Sequence, residues 1–328
     1  MLEGFLVDIN GFVLSQAEED LLQHPFVGGV LLFTRNYQDR AQLVTLTQRI
    51  HALRPDLFIA VDHEGGLIQR FQRDGFRTLP PARLYGEVYD MNRITALTLA
   101  TRYGYIMAND LISCGVDLSL APILDLDAGN SVIGQLDRAF HRDPAIVSIL
   151  AHAFIKGMAE ADMPSVGKHF PGHGSCLLDS HLTKPIDTQP INQLYDRDMK
   201  PFIDLIQKNS LDGIMSAHVT YPSVDAENPA SFSKRWLTHI LRDELHFRGI
   251  IISDCLSMQG AEIGDLQVRT ERAINAGCDI VIICHQTPDI LLRLFDALDS
   301  QITPKESIKR IHRFKQKMQR FKVPQAII

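Results

Sequence analysis

"GIIISDCLSMQGAEIGDLQVRTERAINAGCDIVIICH", residues 249–285, decides the fold. "GIIISD" (249–254) and "DIVIICH" (279–285) are short apolar runs rich in β-branched residues, the pattern of buried strands. Between them "QVRTERAINAG" (267–277) has helical spacing and ends on a glycine, a usual residue just past a helix C-terminus. A strand, a helix and a second strand in this order give a parallel pair with a helical crossover. Strands apolar along nearly their whole length are buried on both faces.

The same unit recurs along the chain. The further strand candidates are "GFLVDI" (4–9), "GVLLF" (29–33), "LFIAVD" (57–62), "VDLSLAP" (116–122), "PSVGKH" (164–169) and "DGIMSAH" (212–218). Helical patterns lie at 40–53, 95–113, 145–161, 191–207, 234–246 and 288–299, while the first connection is only weakly helical. Glycines in "SCG", "FRG" and "NAG" precede three of the strands. Eight strands alternating with helices predict one (β/α)8 barrel over residues 1–328. A doubly wound open sheet would favour a glycine-rich phosphate loop, and the chain has neither GxGxxG nor a Walker sequence.

Composition agrees with a globular protein and narrows the partners. The chain has 328 residues, 45% hydrophobic and 22% charged, with a net charge of −6. No long basic run suggests nucleic acid. The basic stretch "KESIKRIHRFKQKMQRFK" (305–322) spaces Ile308, Ile311, Phe314, Met318 and Phe321 as one helix face, so it reads as a helix packed on the core. Five cysteines without a CxxC pair fit a reducing compartment. The apolar start carries Glu3 and Asp8, unlike a signal peptide, and no uncharged apolar run of about 18 residues suggests a membrane helix. A cytoplasmic location follows, with no membrane partner. A monomer is expected, with a dimer as the alternative.

Barrel enzymes place their chemistry at the C-terminal ends of the strands. Here those ends read "VDHEGG" (Asp62, His63, Glu64), "APILDLDAG" (Asp125, Asp127), "GKHFPGHG" (Lys168, His169), "SAHVTYP" (His218), "SDCLSM" (Asp254) and "CHQ" (His285). Each residue alone reads as a cap or turn former, and Asp127 before "AGN" is best read that way. The convergence of six strand ends on ionisable groups is what points to a site. Long segments follow three of them: 63–83 with Gln69, Arg70 and Arg73; 127–143 with Arg138, His141 and Arg142; and 170–190. Long loops over a barrel mouth commonly serve substrate binding.

Metal and sugar chemistry compete for this set. His169 and His173 are four apart, but Pro171 and Gly172 between them argue against a shared helix. The first strand has no HxH pair and no HExxH occurs, so no metal site is expected. Sugar hydroxyls need carboxylates and forked cations, which Asp62, Arg70, Arg138 and Lys168 supply. Glycoside cleavage also needs a nucleophile or base and a proton donor. Asp254 suits the first, and a histidine titrates near neutral pH without much tuning. In "LDSHL", an extended backbone would point Asp179 and His181 the same way, so Asp179 would orient the imidazole.

"KHFPGHG" with "DSH", "DHEGG" before and "SDCLSM" after resembles the bacterial β-N-acetylglucosaminidases of glycoside hydrolase family 3, of the single-domain cytoplasmic type that serves peptidoglycan recycling. The resemblance runs through "LAPILDLD", "MSAHVTYPSVD" and "AINAGCDIVIICH". It implies a (β/α)8 barrel, Asp254 as nucleophile with retention of configuration, and His181 as general acid/base paired with Asp179 on a loop that moves. It implies Asp62, Arg70, Arg138, Lys168 and His169 as the N-acetylglucosamine-binding set, with His173 and Pro171 shaping the loop. The implied substrate is N-acetylglucosamine linked β-1,4 to 1,6-anhydro-N-acetylmuramic acid, with or without peptide, and no cofactor is called for. Three positions depart from the family pattern: Cys255 after the nucleophile, Leu67 after "DHEGG", and "IGQLDRAF", which is two residues longer than the family's version.

Three rivals keep some of these residues. A phosphorylase of the same family would pass the sugar to phosphate. A metal-dependent amidohydrolase would be stopped by chelator. A non-catalytic barrel would bind the sugar without cleaving it. Trp236, in an amphipathic helix, is read as packing, and His218 and His285 as residues bordering the pocket.

Overall fold

The computed structural model describes residues 3–129, 132–176, 180 and 183–318. All eight expected strands form: β1 (Phe5–Asp8), β2 (Val27–Leu32), β3 (Phe58–Val61), β4 (Leu118–Ser119), β5 (Val166–Phe170), β6 (Gly213–Ser216), β7 (Ile250–Cys255) and β8 (Ile280–Ile283). They pair in parallel in the order β4-β3-β2-β1-β8-β7-β6-β5. The two ends of that order meet. Val166 N–H donates to Ala121 O at 2.8 Å and Leu124 N–H to Lys168 O at 2.7 Å, which closes the barrel.

Period two sorts each strand into an inner and an outer face. Val7, Val30, Ile59, Ile214, Ile251 and Val281 join the large outer core beneath the helices. Leu6, Leu31, Phe58, Ala60, Val166, Met215, Ile250, Ile252, Ile280 and Ile282 fill the lumen. Ile311 and Phe314, from the helix Lys305–Met318, complete the lumen cluster, with Phe314 edge-on to Phe58 at 6.5 Å. The basic C-terminal helix therefore plugs the barrel. Its Lys315 is buried and pairs with Glu3 at 2.7 Å, so part of the charge read as solvated is used in the fold. Phe321 lies outside the described residues.

The helices follow the expected spacing with four differences. The weakly helical first connection is a helix, Gln16–Leu22, because Ser15 and Glu18 form a reciprocal capping box. Ala82–Met91 is a further helix, entered from Pro81, where no helix was expected. The stretch 191–207 divides into Ile191–Asp196 and Lys200–Gln207; Pro201, which has no N–H, sits in the first turn of the second. The helix Arg235–Glu244 winds wider than an α-helix, with π geometry. Gly115 and Gly277 take the left-handed conformation after their helices, but at "FRG" it is His246 that does so, at φ 57°. Trp236 is fully buried against Phe170 and Tyr221, which bears out its reading as packing. No helix among the described residues is long and apolar enough to cross a membrane.

Candidate active site

On three of the strands the inner face passes from apolar to ionisable residues at the same end. Phe58 and Ala60 lead to Asp62, Val166 leads to Lys168, and Ile250 and Ile252 lead to Asp254, each step two residues long. Asp62, Lys168 and Asp254 thereby enter one cavity of about 450 Å³ at the C-terminal mouth, with Arg70, Arg138, His169, His173 and Ser180 also in its wall. Leu31, Met215 and Ile282 floor it from the lumen.

An ion-pair network lines one side. Lys168, 2% exposed, places Nζ 2.7 Å from both Asp62 Oδ1 and Glu64 Oε1. Arg138 donates through Nε and Nη2 to the two oxygens of Glu64, at 2.9 and 2.8 Å. This forked pair fixes the guanidinium plane as a single contact would not. Burial works against the Glu64 charge, but Arg138 and Lys168 outweigh it and hold the carboxyl far below its ordinary range. Burial likewise opposes the Lys168 charge, and Asp62 and Glu64 outweigh it, raising the ammonium. The longer "IGQLDRAF" segment thus still delivers Arg138 to the wall. Arg70 approaches Asp62 at 3.9 Å and lies over the Phe33 ring at 5.7 Å, while its Nε is buried with no hydrogen-bond partner among the described residues.

The opposite side is built on Asp125. Its carboxylate is fully buried and accepts the backbone N–H of His169 at 3.1 Å and of His173 at 2.7 Å. Its second oxygen lies 2.7 Å from His169 Nδ1. Burial opposes this charge too, but His169, then His173, keep the carboxyl below its ordinary range. The His169 imidazole is thereby held by Nδ1, leaving Nε2 for the cavity. Only glycine fits at 174, where a Cβ would meet Leu126 O at 2.1 Å, so the turn after β5 packs directly on the exit of β4. His173 Nε2 lies 3.1 Å from Ser180 Oγ, and burial lowers its imidazole below the ordinary range.

Not every ionisable strand end faces the cavity. His63, one residue beyond Asp62, turns outward against Phe71 and Phe76, where burial lowers its imidazole to about 3. His218 lies behind Asp254, with Nδ1 2.5 Å from Ser231 Oγ and Nε2 3.1 Å from Cys255 O; it braces the backbone beside the carboxylate. His285 does border the cavity. Asp127 accepts Gly129 N–H at 2.8 Å, the turn role expected of it. Gln69 bonds the backbone at Phe71, Arg77 and Leu79, so it shapes its loop rather than lining the cavity. Exposed Leu67 is not in the wall, whereas Cys255 is. Asp179 and His181 lie outside the described residues. Glu64 and Asp125 were read at strand ends without a role; the structure makes them the two buried carboxylates on which the wall residues rest.

The family model of the glycosyl hydrolase family 3 N-terminal domain matches residues 5–318. A β-hexosaminidase of Bordetella avium is 46% identical over 309 residues, covering 93% of this chain and 87% of the relative. That of Thioalkalivibrio sulfidiphilus is 49% identical over 311 residues, covering 94% and 87%. Among solved structures, NagZ from Neisseria gonorrhoeae in complex with N-trifluoroacetyl-D-glucosamine superposes with a TM-score of 0.88 at 42% identity, covering 95% of this chain and 89% of that one. Barrel, strand-end carboxylates and relatives agree: the chain belongs to glycosyl hydrolase family 3 and is a glycosidase of the β-hexosaminidase type.

Proposed function

We propose that the chain is a retaining β-N-acetylglucosaminidase. It removes the non-reducing terminal N-acetylglucosamine from cell-wall fragments in which that sugar is linked β-1,4 to anhydro-N-acetylmuramic acid, with or without peptide. One observation carries the reading: Asp254, the last residue but one of β7, lies on the inward register and lines a cavity whose walls hold Asp62, Lys168, Arg138, Arg70 and His169. Adjacent sugar hydroxyls are met by an acceptor and forked donors already held in place, so little ordering is left to binding.

In this mechanism an Asp254 oxygen attacks the anomeric carbon as the glycosidic C–O bond breaks. The leaving oxygen takes a proton from the His181 imidazolium, which Asp179 orients. Water then attacks the same carbon from the vacated side, His181 takes its proton, and Asp254 is released with configuration retained. Naming of the curated relatives as β-hexosaminidases supports water over phosphate as the acceptor. The reading of the enzyme as a cytoplasmic monomer in peptidoglycan recycling belongs to the same proposal.

The test is release of 4-nitrophenol from 4-nitrophenyl β-N-acetylglucosaminide in phosphate-free buffer with chelator. The wild type is expected to turn over, Asp254→Asn to lose nearly all activity, and His181→Ala to lose about 10²- to 10⁴-fold in kcat. Turnover only after phosphate is added, or an Asp254→Asn enzyme as active as the wild type, defeats the proposal.

A further inference from the structure

Two cysteines line the cavity at the barrel mouth, and the mechanism above uses neither. Cys255 follows Asp254 at the end of β7, and Cys284 lies one residue beyond β8, the neighbouring strand. Regular pleating would turn Cys255 away from the side of Ile250 and Ile252. A bulge prevents this. Ile252 pairs with Ile280 but Cys255 with Ile282, three steps on one strand against two on the other. Cys255 thereby packs on the lumen cluster that contains Ile282 and Cys284, and the Cys284 thiol donates a hydrogen bond to the Cys255 sulfur.

The five cysteines differ in how they hold their protons. Burial pushes the thiols of Cys114, Cys176 and Cys278 up. The Cys255 thiol goes the other way, below its ordinary range, chiefly through the hydrogen bond from Cys284. Cys284 is raised well above its range, by burial first and then by Cys255, so the shared proton stays on it. A sulfur that ionises readily thus faces the cavity with a protonated thiol against it. Cys255 is also tied to the carboxylate beside it: its N–H donates to Asp254 Oδ1 at 2.7 Å, and its carbonyl oxygen lies 3.1 Å from His218 Nε2.

We propose that Cys255 and Cys284 form a redox-active dithiol, a site of reversible oxidation by peroxides that stops turnover by displacing Asp254. The Cys255 thiolate attacks one peroxide oxygen, the O–O bond breaks, and hydroxide leaves with the electron pair and takes up the proton that Cys255 released. The product is a sulfenic acid. The Cys284 sulfur then attacks the Cys255 sulfur, the S–O bond breaks, and the hydroxyl leaves as water with the Cys284 proton. Two thiols are oxidised to one disulfide while one peroxide is reduced to two waters. The new bond draws Cys255 toward β8, and the N–H on Asp254 moves with it. A dithiol reductant reverses the change by exchange.

The test treats the full chain with hydrogen peroxide and follows 4-nitrophenyl β-N-acetylglucosaminide cleavage beside a tryptic mass map. The wild type is expected to lose about 10²-fold in turnover, the scale of a nucleophile held out of line. Its map should show the peptide of Cys255 joined to that of Cys284, with fragment ions placing the bond on Cys284 and not on Cys278, and dithiothreitol should restore both activity and map. Each variant is compared with its own untreated activity, which also shows that it is folded. Cys255→Ser should keep that activity under peroxide. Cys284→Ala should stop at a Cys255 sulfenic acid that dimedone traps, with no crosslink. A Cys255→Ser enzyme inactivated as fast as the wild type, a wild type whose two thiols stay reduced, or a bond to Cys278 overturns the proposal. The mass map needs no substrate, so failure of the substrate reading and failure of the dithiol are told apart.

Discussion

Asp125 and His169, 44 residues apart in the chain, are joined at 2.7 Å beside the cavity at the barrel mouth, and Asp125 also takes two backbone N–H groups from the turn that carries His169. Asp125→Asn replaces one acceptor oxygen by an NH₂ group, which repels either an N–H of the turn or the imidazole N–H. A loss of about tenfold or more in kcat/KM on the aryl glycoside is expected, because the turn and the imidazole no longer share one acceptor that fixes both. A variant with wild-type kcat/KM would reduce Asp125 to a packing role.

Glu64 is the common partner of Arg138 and Lys168. Removing its charge leaves two buried cations with less compensation, which costs about 3–5 kcal/mol when one partner of a buried pair is lost. Glu64→Gln is therefore expected to lower Tm and raise KM. Because the carboxyl is held below its unfolded range, its contribution is present above the unfolded value of 4.5 and is lost as pH falls through the folded one. The Tm gap between variant and wild type should be full at pH 7 and narrow on acidification; a gap that is flat with pH counts against the charge network.

Asp198 shows the opposite sign. Burial raises its carboxyl to about 6, only partly offset by the Ser175 hydroxyl, and Asp187 and Asp125 add repulsion. The fold holds this proton more tightly than the unfolded chain does. Stability is thus fully present below the unfolded value of 3.8 and is lost as pH rises through about 6. Asp198→Asn keeps an acceptor for Ser175 and removes the cost of ionising, up to ~3 kcal/mol. Thermal melts should show the variant about 2–5 °C more stable at pH 8 and equal to wild type at pH 4; destabilisation at both would refute this.

Phe314 seals the lumen from the end opposite the cavity at the barrel mouth. Phe314→Ala is expected to cost about 3–5 kcal/mol through lost burial and a residual cavity. At temperatures where the variant remains folded, kcat/KM on the aryl glycoside should be unchanged. A full-strength Tm would mean that the helix is not seated in the barrel.

Local pattern determined a good part of this protein. Apolar runs and helical spacing specified eight strands and most helices, because both periodicities are properties of consecutive residues. The same period of two put Asp62, Lys168 and Asp254 on the inner face, since each lies two or four residues from a lumen residue of its own strand. Tertiary structure alone decided what happens past the strand ends, where the pleat no longer sets direction. His63 and Asp62 are neighbours in "VDHEGG", yet one is buried among phenylalanines and the other faces the cavity. Glu64, Arg138 and Lys168 come from three separate strand ends and loops, as do Asp125 and His169 from two, and only barrel closure brings them within hydrogen-bond reach. Ion pairing depends on distance through space, so the buried carboxylates beneath the site became visible only once the chain was folded.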